Sequence, residues 1–109
     1  MALNKYTQVD VAALSDAELS RLASALRFGR EITWDIWSPA TDRNQSGELL
    51  QFAADNGAAF TVNVFRSASV DAWIHLSTYE GHIKISGATA RAETVAAVCA
   101  LLAIEGRLA

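Results

Sequence analysis

Ala72-Trp73-Ile74-His75-Leu76-Ser77-Thr78-Tyr79-Glu80-Gly81-His82-Ile83-Lys84-Ile85-Ser86 decides the fold, because apolar and polar side chains alternate on both sides of Glu80-Gly81. A period of two is the mark of a strand with one buried face. Glu80-Gly81 supplies the turn of a hairpin. The spacing predicts strands over 72–78 and 82–86, with Tyr79 opposite His82, Ser77 opposite Lys84 and His75 opposite Ser86. Ile74, Leu76, Ile83 and Ile85 then line a core face. Trp73, His75, Ser77 and Tyr79 stand beside His82, Lys84 and Ser86 on the other.

The period changes on either side of this hairpin. Downstream, Thr89 to Glu105 is Ala-rich and reads as a long helix that stops at Gly106. Upstream, Ala59 to Arg66 alternates, with Phe60, Val62 and Val64 on one face, and Ser67-Ala68-Ser69 turns the chain. Glu31 to Trp37 alternates as well, with Ile32, Trp34 and Ile36 against Thr33, Asp35 and Trp37. Between these strands lie a polar loop, Ser38 to Gly47, and a short helix, Glu48 to Ala54. The first helix is signalled by a capping box, Ser15-Asp16-Ala17-Glu18, and by Leu19, Leu22, Ala23 and Leu26 on one face. Gly29 is placed to end it. Residues 5–11 alternate weakly and read as an edge strand. The expected fold is α+β in the order (β)αβαβββα: a mainly antiparallel sheet of four to five strands with helices packed on it.

The chain has 109 residues, a length that suits one domain. Its 51% hydrophobic content excludes a disordered chain. The net charge is −3, with two lysines and seven dispersed arginines, which argues against a nucleic-acid partner. Cys99 is the single cysteine and sits in an apolar run, so a buried small side chain is expected, in a reducing compartment. The first residues carry no leader-like apolar stretch, and the uncharged run Thr94 to Ile104 is too short to cross a bilayer, so no membrane partner is expected.

No catalytic or cofactor motif stands out. The two histidines, His75 and His82, have no metal-ligand spacing, and the six glycines are isolated rather than gathered into a phosphate loop. No enzyme activity, metal or cofactor is expected. Two features remain. The polar face of the sheet mixes aromatics with hydrogen-bonding groups, which suits recognition; it also reads as a second core layer under the loop and short helix. The final helix is uncharged from Thr94 to Ile104. It is either covered by its own domain or meets a second copy, giving a homodimer through Thr89–Glu105.

Three short segments carry a family resemblance: Val9-Asp10-Val11-Ala12-Ala13-Leu14-Ser15; Trp37-Ser38-Pro39-Ala40-Thr41-Asp42, followed by Gly47-Glu48-Leu49-Leu50; and Gly87-Ala88-Thr89 with the Ala-rich helix after it. They resemble, in turn, the N-terminal strand and helix start, the aromatic-Ser-Pro-x-Thr-Asp segment and the final helix start of the phage ABA-sandwich family. This chain departs from the family in lacking a proline near Thr89 and in its hairpin-rich middle. The resemblance implies a three-layer α/β/α arrangement and a phage or prophage origin, hence the cytoplasm of a bacterial host. The expected role is a small accessory protein that binds and neutralises a host factor. That factor is a host defence protein or a small anionic signalling molecule; the rival roles are a toxin-binding immunity protein and a structural homo-oligomer. The candidate contacts are Trp37, Asp42, Arg43 and Asn44 from the loop, and Trp73, His75, His82 and Lys84 from the sheet.

Overall fold

The computed structural model describes residues 5–30, 37–65, 69–75 and 83–108. Among them are four helices, α1 (Gln8–Ala12), α2 (Asp16–Phe28), α3 (Arg43–Asp55) and α4 (Thr89–Ile104), and three strands, β1 (Ala59–Val64), β2 (Ser69–His75) and β3 (Ile83–Ala88). The strands form one antiparallel sheet in the order β1-β2-β3. The fold is therefore α+β, with three strands among the described residues in place of the expected four to five. The strand expected over Glu31–Trp37 falls almost wholly on residues outside the described set.

The edge strand expected over residues 5–11 is instead the helix α1. Thr7 Oγ1 accepts from the Asp10 amide at 3.1 Å, while Asp10 Oδ2 accepts from the Thr7 amide at 2.9 Å. This reciprocal cap satisfies two otherwise orphaned donors and outweighs the weak alternation of Val9 and Val11. Val11 is buried and Val9 is 76% exposed, so the apparent apolar pair divides between core and solvent. Tyr6, just before α1, pairs in parallel with Leu108.

The reading of α2 holds closely. Ser15 and Glu18 form the reciprocal cap, and Gly29 closes the helix with φ +73°, in the left-handed region. Leu19 and Ala23 face the core, as the spacing requires.

α4 is the centre of the molecule. It packs on β2 and β3, and α1, α2 and α3 pack on it in turn. Every residue from Ala92 to Leu102 is buried. The lack of charge from Thr94 to Ile104 is thus explained by burial within its own domain, and the helix does not offer the free face that a homodimer through Thr89–Glu105 would use. Its small alanines let sheet and helices approach closely, while Val98, Leu101 and Leu102 fill the volume between them. Complete burial of each such aliphatic side chain stabilises the fold by about 1.5–3 kcal/mol.

Arg91, near the start of α4, ties the N-terminal helices to this core. Its guanidinium donates to Asp16 Oδ1 at 2.6 Å, to the Ala12 carbonyl at 2.9 Å and to the Leu14 carbonyl. The carbonyls belong to the exit of α1, where no intrahelical donor remains.

Sheet register differs from the sequence-based expectation. Ile74 lies opposite Ile83, Trp73 opposite Lys84 and Asp71 opposite Ser86, so His75 does not face Ser86. The strands have slipped by four positions relative to the expected pairing. An even slip leaves every side chain on its expected face. Ile74, Ile83 and Ile85 are accordingly buried. Leu76, Ser77, Tyr79 and His82 lie outside the described residues.

Candidate functional site

The polar face of the sheet is open. In register across the strands stand Thr61, Trp73 and Lys84, then Asn63, Asp71 and Ser86, with His75 opposite Ala59. Trp73 and Asp71 are half-buried; Thr61, Asn63, His75, Lys84 and Ser86 are exposed. No described helix buries this face: α4 lies against the opposite one, and the helix expected as a cover, α3, packs chiefly on α4. The second core layer that this face also allowed is therefore not seen among the described residues. The further layer of a three-layer arrangement is likewise not seen among the described residues.

Alternation along β2 is what creates the site. Val70, Ala72 and Ile74 point into the core, which forces Asp71, Trp73 and His75 outward. Cross-strand partners then organise the outward groups. Ser86 Oγ donates to Asp71 Oδ1 at 2.6 Å. Lys84 Nζ lies 3.7 Å from Asp71 Oδ2 and 5.4 Å from the centre of the Trp73 ring. Thr61 Oγ1 and His75 Nε2 are 3.3 Å apart, a diagonal contact between neighbouring strands. Gln8, from α1, donates to the Lys84 carbonyl at 3.0 Å and pins β3 from its side. The face thus has an aromatic centre, a fixed carboxylate and a cation resting between them.

Such a mixture of aromatic and hydrogen-bonding groups suits recognition. The Thr61–His75 pair sits on the exposed side of the sheet. Cys99 is fully buried in α4, and burial pushes its thiol up to about 12, away from thiolate chemistry. Among the described residues no three metal-ligating side chains gather.

The loop candidates disperse. Trp37 is only 8% exposed and packs edge-to-face on Phe28, with ring centres 5.1 Å apart, so it is a core anchor rather than a binding rim. Asp42 caps α3, its Oδ1 accepting from the amides of Asn44 at 2.9 Å and Gln45 at 3.2 Å. The helix therefore starts at Arg43, five residues before the expected Glu48. Arg43 Nε lies 3.8 Å from Glu93 Oε1, and the Ser46 hydroxyl donates to the same oxygen at 2.9 Å. Glu93 is nearly buried, and these two partners compensate its charge. Asn44 is exposed in the first turn of α3. Of the eight candidates, Trp73, His75 and Lys84 meet on one surface; His82 lies outside the described residues.

Two groups were missed at the sequence level. Asp71 was legible, since it stands two residues before Trp73 and so shares its face. The other is a cluster on the helical side, where the Arg27 guanidinium lies 4.3 Å from the Phe52 ring centre and 4.9 Å from that of Phe28. Beside it, Glu48, Gln51 and Asp55 help line a shallow hollow of about 240 Å³. Its members come from two helices, and no pattern along the chain aligns them.

Comparison with known proteins leaves the surface to speak for itself: no family model, curated protein or solved structure matches the chain.

Proposed function

We propose that the chain is a small, non-enzymatic accessory protein of phage type that binds and neutralises a host protein through the open face of its sheet. The observation that supports this reading is the outward row of β2, where Trp73 stands between Asp71 and His75 with Lys84 beside it. A rigid aromatic flanked by oriented polar groups is the composition of an interface hot spot. The phage-type origin rests on the resemblance carried by residues 9–15, 37–50 and 87–98.

A protein partner suits the face better than a small anion. An anion needs converging cations and an enclosing wall. Here Lys84 already rests on Asp71, and Arg43 belongs to the helical layer, where it faces Glu93. An open sheet face matches another protein's surface instead.

The test begins with native mass spectrometry of the gently purified chain, followed by affinity capture from a bacterial lysate. The capture compares the unaltered chain with Asn63→Arg on the open face and Gln51→Arg on the helical side. The expected result is one captured protein, lost with Asn63→Arg and kept with Gln51→Arg. A bound small molecule in the native spectrum, or a captured protein indifferent to Asn63→Arg, overturns the reading.

A further inference from the structure

The cation on the open face belongs to the chain itself, and the way it is held suggests what the face receives. We infer that Asp71 and Trp73 form a receptor for an arginine side chain of the protein partner, with Lys84 keeping the place until that partner arrives. This inference rests on the open-face reading above and gives the bound partner its chemistry.

Three observations carry it. First, the carboxylate is oriented. Ser86 Oγ holds Asp71 Oδ1 at 2.6 Å, which leaves Oδ2 to face Lys84. Second, the aromatic ring is already in a cation–ring contact, with Lys84 Nζ at 5.4 Å from its centre. A carboxylate beside an indole face is suited to a flat guanidinium, which stacks on the ring and bonds the carboxylate in one pose. Third, the present occupant is weakly held. The Lys84 side chain is 53% exposed, and its nitrogen stands 3.7 Å from Asp71 Oδ2. Exposed pairs of this kind contribute little because water screens them.

Charge complementarity points the same way. The Asp71 carboxylate complements an incoming cation. Arginine has a clear advantage over lysine at this position. Its fork can share Asp71 in two hydrogen bonds, whereas an ammonium ion merely replaces the one already there. Displaced, the Lys84 stem can lie along the indole edge with its charge in water.

The experiment follows the three tryptophan indole N–H resonances by ¹⁵N-edited NMR, with the Trp73 signal identified by its loss in Trp73→Phe. The probes are blocked Gly-Arg-Gly-Arg-Gly peptides and their Lys and Glu counterparts. The expected result is a saturable shift of the Trp73 signal with the Arg peptide and a weaker one with Lys. Lys84→Ala removes the occupant and should tighten binding by about 2–5-fold, the scale of an exposed ion pair. Asp71→Asn should weaken binding by more than that. The sign of the Lys84→Ala effect is decisive: if that variant binds less well, Lys84 is itself the contact and the inference falls. If the Glu peptide moves the Trp73 signal and the Arg peptide does not, the arginine assignment falls while the open face stands as a binding surface. If no peptide moves it although a captured host protein is lost with Asn63→Arg, the arginine assignment again falls alone.

Discussion

The two faces of β2 differ by a single residue step and by almost everything else. Val70, Ala72 and Ile74 are at most 1% exposed and bind the sheet to α4. Asp71, Trp73 and His75, interleaved with them, carry hydrogen-bonding or aromatic groups to the open side. One strand therefore holds the domain together with one face and turns polar and aromatic groups outward with the other. The lesson is that the largest side chain in a strand is not always its core anchor. Here the smaller isoleucine anchors, and the tryptophan is turned outward.

This contrast breaks most readily by truncation. Ile74→Ala should cost roughly 2–5 kcal/mol in chemical denaturation, as for other fully buried aliphatic residues. Trp73→Ala should cost about 1 kcal/mol, the scale of the cross-strand and cation–ring contacts it removes. A tryptophan variant less stable than the isoleucine variant would invert the assignment of faces. Cys99 offers an independent reading, since its thiol is buried and held protonated. Its modification by a thiol reagent should require opening of the domain. Ile74→Ala should accelerate that labelling by at least ~30-fold if opening tracks stability, and Trp73→Ala by far less.

Smaller effects sharpen the same contrast. Ser15→Ala, remote from both faces, should cost about 1 kcal/mol through the lost cap and serves as a reference for a purely local loss. Lys84→Ala should change stability by less than that in thermal unfolding, because its partners are exposed or half-buried. The smallest effect is pH-dependent. The Ser15 side chain, and after it the Ser15 amide, hold the Glu18 carboxyl below its ordinary value. A carboxyl depressed on folding stabilises the protein above its unfolded value, and that contribution fades as pH falls through the folded one. The difference between the unaltered chain and Ser15→Ala should therefore narrow in melts taken from neutrality down to about pH 3. A gap that widens on acidification would contradict the cap.

Face assignment along the strands was legible because burial imposes a period of two. Register was not, because a four-residue slip preserves that period and so puts the same side chains on the same faces. α2 was legible because its cap, apolar stripe and closing glycine agree. The start of α3 was not. Its first turn, Arg43-Asn44-Gln45-Ser46-Gly47, contains poor helix formers and no apolar residue. That turn is secured from outside, by Ser46 against Glu93 some 47 residues away. Reading Asp42 as a contact rather than a cap followed from the same gap. At the candidate site, parity along β2 revealed Trp73 and His75, yet the pairing of Lys84 with Asp71 depended on register and so escaped notice.

The Arg91 clamp has a consequence for the order of folding events. Its three acceptors lie 75 to 79 residues earlier in the chain, at the junction of α1 and α2. A ribosome must translate β1, β2 and β3 as well before that guanidinium exists. Until then the α1–α2 junction lacks its anchor and the helix it must dock on, because α4 is still unmade. The α1–α2 junction can thus be clamped only once α4 has been made.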